Sequence, residues 1–232
     1  SDIAHDLRTP LTRLRQRLEL ARQREDTVAG LHLALDAAMS NVDAILDTFG
    51  ALLRIAQIEA GTRRAGFRPV ALSELLEELM EAYQPVADEK AQDLQAEIAP
   101  GLSVDGDREL LTQLFANLLD NAIGHSPAGA RLSVKAAGVP QGVRQGVRQG
   151  VPQGVQVSVS DTGPGIPAPY RQKVLQRFYR LETSRAAPGN GLGLSLVDAV
   201  ATLHHATLEL RDNDPGLQCV IGFQQSVRGA RK

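Results

Sequence analysis

Apolar residues fall at Ile3, Leu7, Leu11, Leu14, Leu18 and Ala21, and again at Leu31, Leu35, Ala38, Val42, Ile45, Phe49, Leu52 and Ala56. Alternating steps of three and four give a mean period of about 3.5 residues, the narrow seam of a coiled coil. The polar stretch from Gln23 to Gly30 separates the two series and is short enough to fold the helices back as antiparallel neighbours. Two helices with narrow seams cannot enclose a core by themselves. The pattern therefore predicts a homodimer in which two hairpins form a four-helix bundle. Residues 61–66, reading GTRRAG, end the second helix and read as a linker.

From Phe67 onward the periodicity is mixed. Ser73 is placed to cap a helix carrying Leu75, Leu76 and Leu79. Residues 107–124 form another amphipathic helix, with Leu110, Leu111, Leu114, Leu118 and Ala122 on its apolar side. Short β-rich runs follow at Arg131–Ala136, Val155–Ser160, Thr207–Arg211 and Gln218–Phe223. The last two flank an Asn-Asp-Pro-Gly turn signal and predict a hairpin. A final helix is expected from Leu192 to His204. The sum is an α+β fold, a sheet covered by helices on one face. The predicted organisation is a helical hairpin over 1–60, a linker over 61–66 and a second domain over 67–232. Within that domain, residues 139–154 read VPQG-VRQG-VRQG-VPQG, four tandem tetrapeptides between two predicted strands. They read as a repeat expansion at a hairpin tip, where added length costs little.

The chain's 232 residues are 43 % hydrophobic, enough for a core, but tryptophan is absent, so that core must be aliphatic. A net charge of −2 lacks the basic footprint of a nucleic-acid binder. The single cysteine, Cys219, cannot form an internal disulfide, which suits a reducing compartment. No apolar run approaches the roughly 20 residues that span a bilayer, so no membrane contact is expected within this segment. The chain opens at Ser1 already inside a helical pattern and is read as part of a longer protein.

Candidate chemistry begins at His5. It lies two residues from both Ile3 and Leu7, a rotation of about 200°, so it faces away from the seam. Asp6 adjoins it, Thr9 shares its helix face at i+4, and Pro10 interrupts the helix just beyond. An imidazole is a competent nucleophile near neutral pH, and a neighbouring carboxylate can orient it and take its proton. Asn117 and Asn121 stand at i, i+4 on one helix face. Amide oxygens there suit Mg²⁺, although paired asparagines on a helix surface are also ordinary. Asp161-Thr-Gly-Pro-Gly-Ile-Pro167 directly follows a strand. Its carboxylate can accept from an exocyclic amine such as adenine presents, and Gly163 and Gly165 permit close backbone approach to a ligand. Gly189-Asn-Gly-Leu-Gly-Leu194 opens the last helix, where N–H groups and the dipole favour phosphate, although a flexible loop explains such glycines equally well. Arg180, in Phe178-Tyr-Arg180, can reach phosphate from a stretch resembling a lid.

Ser1 to Leu14, SDIAHDLRTPLTRL, resembles the H box of two-component sensor histidine kinases. The later motifs resemble the N box, first glycine box, F box and second glycine box of the same family, in order. The resemblance covers nearly the whole chain. It implies an α/β sandwich of the Bergerat type, shared with gyrase, chaperone and mismatch-repair ATPases, and the cofactors ATP and Mg²⁺. It implies that His5 is the phosphoacceptor, that Asp6 is its base, and that Thr9 positions water when such proteins act in reverse as phosphatases. By the same resemblance Asn121 is the principal Mg²⁺ ligand, assisted by Asn117, and Asp161 holds the adenine amine. Gly163 and Gly165 shape the base pocket, while Gly189, Gly191, Leu192 and Gly193 approach the phosphates. Phosphotransfer to a response-regulator aspartate is implied too, as is a cytoplasmic location in a membrane-anchored sensor.

The chain departs from the family at Gly124 and His125, where a basic residue and a tyrosine are common, and at His205-Ala206, where a glycine pair is common. His125 stands where the aromatic would stack near adenine. Two other functions share part of this pattern. An ATP hydrolase of the same superfamily places a glutamate where Asn117 stands, and an amide cannot be that general base. A nucleotide-binding pseudokinase scaffold is kept open by Gly124 and His125.

Overall fold

A computed structural model describes residues 12, 15–16, 18–22, 27–59, 67–139, 154–181 and 190–224, without the side chains at 29, 40–41, 43–44, 47–48 and 59. The chain divides into two compact units, Ser1–Ala56 and Gln57–Lys232. In the first, residues 12, 15–16 and 18–22 are helical, with an exposed Arg15–Glu19 pair at i, i+4. Helix α1 (Val28–Glu59) follows, its residues from Gln57 on counting with the second unit. It starts inside the stretch expected to be a turn, because the Thr27 hydroxyl oxygen accepts the Gly30 N–H at 3.1 Å and caps the first turn.

The seam expected on α1 divides into two. Ala38 and Leu52 are buried and Ile45 half-buried, whereas Leu31, Leu35, Val42 and Phe49 are exposed. Met39, Leu46 and Leu53 join the exposed set, which then runs 35, 39, 42, 46, 49, 53 in steps of four and three. The sequence pattern merged a covered face with an open one, because both lie within a quarter-turn of each other.

The second unit contains β1 (Arg68–Ala71), α2 (Leu72–Glu89), β2 (Asp93–Ile98), β3 (Ser103–Gly106), α3 (Arg108–His125), β4 (Arg131–Val139), β5 (Gly154–Asp161), α4 (Gly193–Leu203), β6 (Thr207–Asp212) and β7 (Leu217–Gln224). Strands β1 and β3 form an antiparallel pair beside a five-stranded sheet ordered β2-β4-β5-β7-β6. Only β2 and β4 run parallel; the remaining pairs in that sheet are antiparallel. Leu132, Val134 and Ala136 on β4, Val157 and Val159 on β5, and Cys219, Ile221 and Phe223 on β7 bury one face. Helices α3 and α4 fill that face with Leu110, Leu111, Leu114, Phe115, Leu118, Leu196 and Val200. Phe115 and Phe223 meet with ring centroids 6.5 Å apart. Each such side chain contributes about 1.5–3 kcal/mol by leaving water. This is the expected α+β arrangement. Strands β4 and β5 are longer than expected, pairing Val139 with Gly154, so both ends of the 140–153 connection sit at neighbouring positions.

Asp107 caps α3, its carboxylate accepting from the N–H groups of Glu109 at 2.9 Å and Leu110 at 3.2 Å. Ser73 corrects its expected role. Ala71 holds the cap position of α2, and Ser73 is buried, its hydroxyl donating to the Ala99 carbonyl at 2.7 Å and accepting from Leu102 N–H at 2.9 Å. It ties the helix to the β2–β3 turn instead of capping it. At the other end of the domain, α4 closes through His205 (φ 53°), with N–H groups of His205 and Ala206 bonded back to Thr202 and Ala201. This is the position where glycine terminates a helix without strain; a side chain there costs about 1–2 kcal/mol.

His204 is buried between these elements. Its Nδ1–H donates to the Val200 carbonyl at 2.8 Å, its Nε2 accepts Asp107 N–H at 3.0 Å, and its ring stacks on Phe67 at 4.6 Å. That pattern fixes the neutral tautomer. Desolvation holds its pKa below the ordinary imidazole value, assisted by His205 and opposed by the Val200 bond and the Asp107 charge. The unfolded chain therefore binds a proton more readily. Stability from this site is complete above about pH 6.5 and falls with pH down to the lowered folded pKa, at about 1.4 kcal/mol per pH unit. Urea titrations at pH 7.5 and 5.5 should show His204→Gln losing less stability than the parent over that interval. Equal losses would mean that this ring does not carry the pH dependence.

Candidate nucleotide site

Helix α3 sets three predicted residues on one stripe, because Asn117, Asn121 and His125 follow at intervals of four. The Asn117 side-chain Nδ2 donates to the Gln113 carbonyl at 2.8 Å, which leaves its oxygen to face outward from the helix backbone. Asn121 Nδ2 is buried without a hydrogen-bond partner. A buried donor left unmatched costs about 1–3 kcal/mol, so its retention points to an acceptor outside the protein.

Gly193 begins α4 directly against these amides. A Cβ there would lie 3.2 Å from Asn117 Oδ1 and 3.4 Å from Asn121 Nδ2. The N-terminus of α4, where N–H groups lack intrahelical partners, thus lies against the two amides, with Leu192 at the cap. Gly191 (φ 69°) is fixed just before them. Its carbonyl accepts Phe178 N–H at 2.9 Å, and a Cβ would come within 2.9 Å of the Phe178 backbone and 3.1 Å of Arg180 Cγ. This clasp fixes the Arg180 stem beside Gly191. Arg180 also lies close enough to His125 to act on its charge. Desolvation, then the Arg180 guanidinium, hold the His125 pKa below the ordinary value; Asp161 opposes and Lys90 assists. The imidazole is therefore a neutral partner near pH 7.

Asp161 ends β5 and is buried. Its Oδ1 accepts from Gly163 N–H at 2.8 Å and Leu217 N–H at 3.3 Å, so the second oxygen remains for a ligand. Desolvation raises its pKa, against those two bonds and the His125 charge. Gly163 faces Asp161 Oδ1 and the Ser126 hydroxyl, each 3.0 Å from where a Cβ would sit, and Ser126 Oγ is another buried atom without a partner. Gly165 (φ 68°) allows the Gly216 carbonyl to approach within 2.6 Å of its absent Cβ. Cys219 is inert here, since burial and then the Asp161 charge push its thiol up to about 12.

These features fit a magnesium nucleotide. The orphaned Asn121 NH₂, the hollow kept by Gly193 and a helix N-terminus suit phosphate oxygens, the side-chain oxygens of Asn117 and Asn121 suit a hard cation, and the held Asp161 carboxylate suits an amine. Asn117, Asn121, Gly191, Leu192, Gly193 and the stem of Arg180 lie together, and Asp161, Gly163 and Gly165 cluster at the end of β5, with the His125 carbonyl against Gly163. His5, Asp6, Thr9 and Gly189 lie outside the described residues. Sequence reasoning missed Asn213, Gly216, Ser126 and Gln92. Gln92 is buried and donates its side-chain amide to the carbonyls of Ile123 at 3.1 Å and Ser126 at 2.8 Å, fixing the end of α3 that carries His125. No local pattern marks it. Asn213 and Gly216 had a signal, the turn, but not one that reveals what the turn touches.

The chain belongs to the sensor histidine kinases: residues 106–227 match the family of histidine kinase-, DNA gyrase B- and HSP90-like ATPases, and residues 1–61 match the His Kinase A (phospho-acceptor) domain. It is similar to the signal transduction histidine-protein kinase/phosphatase MprB of Mycolicibacterium smegmatis, at 33% identity over 226 residues, covering 93% of this chain and 42% of that protein. The MprB protein of Mycobacterium leprae is 34% identical over 227 residues, 94% of this chain and 40% of that one. The chain thus spans less than half the length of these relatives. Among solved structures, the Acinetobacter baumannii histidine kinase AdeS shares the fold with a TM-score of 0.70 at 20% identity, over 96% of this chain and 98% of that one. A mycobacterial sensor histidine kinase MprB matches at 28% identity with a TM-score of 0.57, over 68% of this chain and 97% of that one. Among the described residues no helix is long and apolar enough to cross a membrane.

Proposed function

We propose that the protein phosphorylates His5 from Mg-ATP and passes the phosphoryl group to an aspartate of a response-regulator receiver domain. The observation that carries this reading is the convergence of Asn117, Asn121 and the N-terminus of α4 at Gly193, with Asp161 held at the end of β5. Bound Mg-ATP supplies the phosphoryl group and neutralises charge on its oxygens. Asn121 and Asn117 offer the amide oxygens that would hold the metal. Asp161 accepts from the adenine amine through the oxygen not tied to Gly163 and Leu217. The N–H groups at Gly193 and the Arg180 guanidinium draw charge from the phosphates. His5 attacks with an imidazole nitrogen while Asp6 takes its proton; a nitrogen–phosphorus bond forms as the bond to ADP breaks. Thr9 orients water in the reverse, phosphatase direction. Residues 61–66 serve as the linker between the helical hairpin (1–60) and the ATP-binding domain (67–232). Incubation with γ-labelled ATP tests the proposal. Acid-labile, base-stable label dependent on magnesium is expected, and its absence would leave a nucleotide-binding scaffold.

The exposed stripe on α1 supports a homodimer through the hairpin. Six apolar side chains from Leu35 to Leu53, spaced by fours and threes, form a coiled-coil seam open to a second copy. Sedimentation should show a dimer for the parent, and Leu46→Glu with Phe49→Glu should shift it to monomer at the same concentration, since two charges buried in the seam each cost several kcal/mol. A parent that stays monomeric at high micromolar concentration would overturn the dimer.

A further inference from the structure

We propose that Asn213, in the β6–β7 turn, is a positioning residue for the Asp161 carboxylate and, through it, for recognition of the purine 6-amino group. This rests on the reading that Asp161 accepts from that amine. Two N–H groups orient Asp161 Oδ1, and they differ in kind. Gly163 is two residues along the same loop and moves with Asp161. Leu217 is the first residue of β7, and its N–H reaches Oδ1 between the β6–β7 turn on one side and the Gln218–Ser160 pair with β5 on the other.

The seating is specific. The Asn213 side-chain Nδ2 donates to the Asp161 backbone carbonyl at 2.7 Å, and Asn213 N–H closes the turn on the Gly216 carbonyl at 3.2 Å. Gly216 (φ 117°) lies so near the Asp161 carbonyl that a Cβ would overlap it. The Gly216 carbonyl in turn packs on Gly165. The turn therefore touches both the carboxylate-bearing residue and a glycine beside it, and Asn213 is its side-chain anchor. When the anchor is lost, Leu217 N–H withdraws and Asp161 Oδ1 keeps a single local donor. The second oxygen then no longer has a set direction in which to meet an amine.

The test is titration calorimetry with Mg-ATP and Mg-ITP on the full chain, since inosine carries a carbonyl oxygen in place of the amine. Asn213→Asp preserves shape but replaces the donating NH₂ with an acceptor facing a carbonyl. It should weaken ATP about tenfold, the worth of one oriented hydrogen bond, while changing ITP little, so that preference for ATP falls. Asn213→Ala should act in the same direction and covers the case in which the aspartate variant does not fold. Equal weakening of both nucleotides, or no change in either, would overturn the proposal. Asp161→Asn is the control. If it abolishes the preference for ATP while the Asn213 variants retain it, the positioning role alone fails. If Asp161→Asn leaves the preference intact, the reading of Asp161 fails and the role of Asn213 with it.

Discussion

His5→Gln is expected to bind Mg-ATP with the parent's affinity and to incorporate no label from γ-labelled ATP, a loss of at least about 10³-fold. The two halves of that result come from separate units of the chain. The residues proposed to hold nucleotide, from Asn117 to Gly193, belong to the second unit, whereas His5 belongs to the first. Glutamine retains hydrogen-bonding capacity and helix propensity but offers no basic nitrogen, so chemistry is lost without a gross change in the helix. Calorimetry paired with labelling and acid treatment reads both halves. Label that persists in His5→Gln would identify another acceptor, and the phosphotransfer reading built on Asp6 and Thr9 would fall with it.

Asn121→Ala is expected to lower turnover about 10²–10³-fold, the range for removing one preorganised electrostatic partner. Its effect on stability should have the opposite sign or none. Asn121 Nδ2 is a buried donor without a partner, so alanine removes an unsatisfied polar atom and improves helix propensity together. A melting temperature equal to or above the parent's, with magnesium-dependent nucleotide binding lost, is the signature of a side chain kept for its ligand. Asn117→Ala should cost less, because the Asn117 amide is already bonded to the Gln113 carbonyl at 2.8 Å and only its oxygen faces the site. Unchanged magnesium dependence in Asn121→Ala would remove it from the metal site.

What was legible in advance were relations within single elements. Asn117, Asn121 and the apolar stripe of α3 follow from helix geometry, and the four strands β4 to β7 announced themselves as β-rich runs bounded by turn residues. Strands β1, β2 and β3 carry no such signal. Two of them have four residues each, and β2 (Asp93–Ile98) has mostly exposed positions, so no alternation marks it. Ser73 reads as a cap because serine before a leucine-rich run usually is one, but its hydroxyl is taken by Ala99 and Leu102 from a distant turn. The α1 seam reads as one face because periodicity records apolarity, not what covers it.

Sequence alone thus determined the helical N-terminal region, the α+β class and the order of the motifs, since each depends on spacing within a helix, strand or loop. Tertiary structure decided which face of α1 stays open, that His204 is a neutral buried link between Val200 and Asp107, and that Asn213 reaches the Asp161 carbonyl. The physical reason is sheet order. Strand β7 lies between β5 and β6, and only that arrangement sets the β6–β7 turn against the end of β5. No periodicity in the chain encodes a hydrogen bond between residues so far apart.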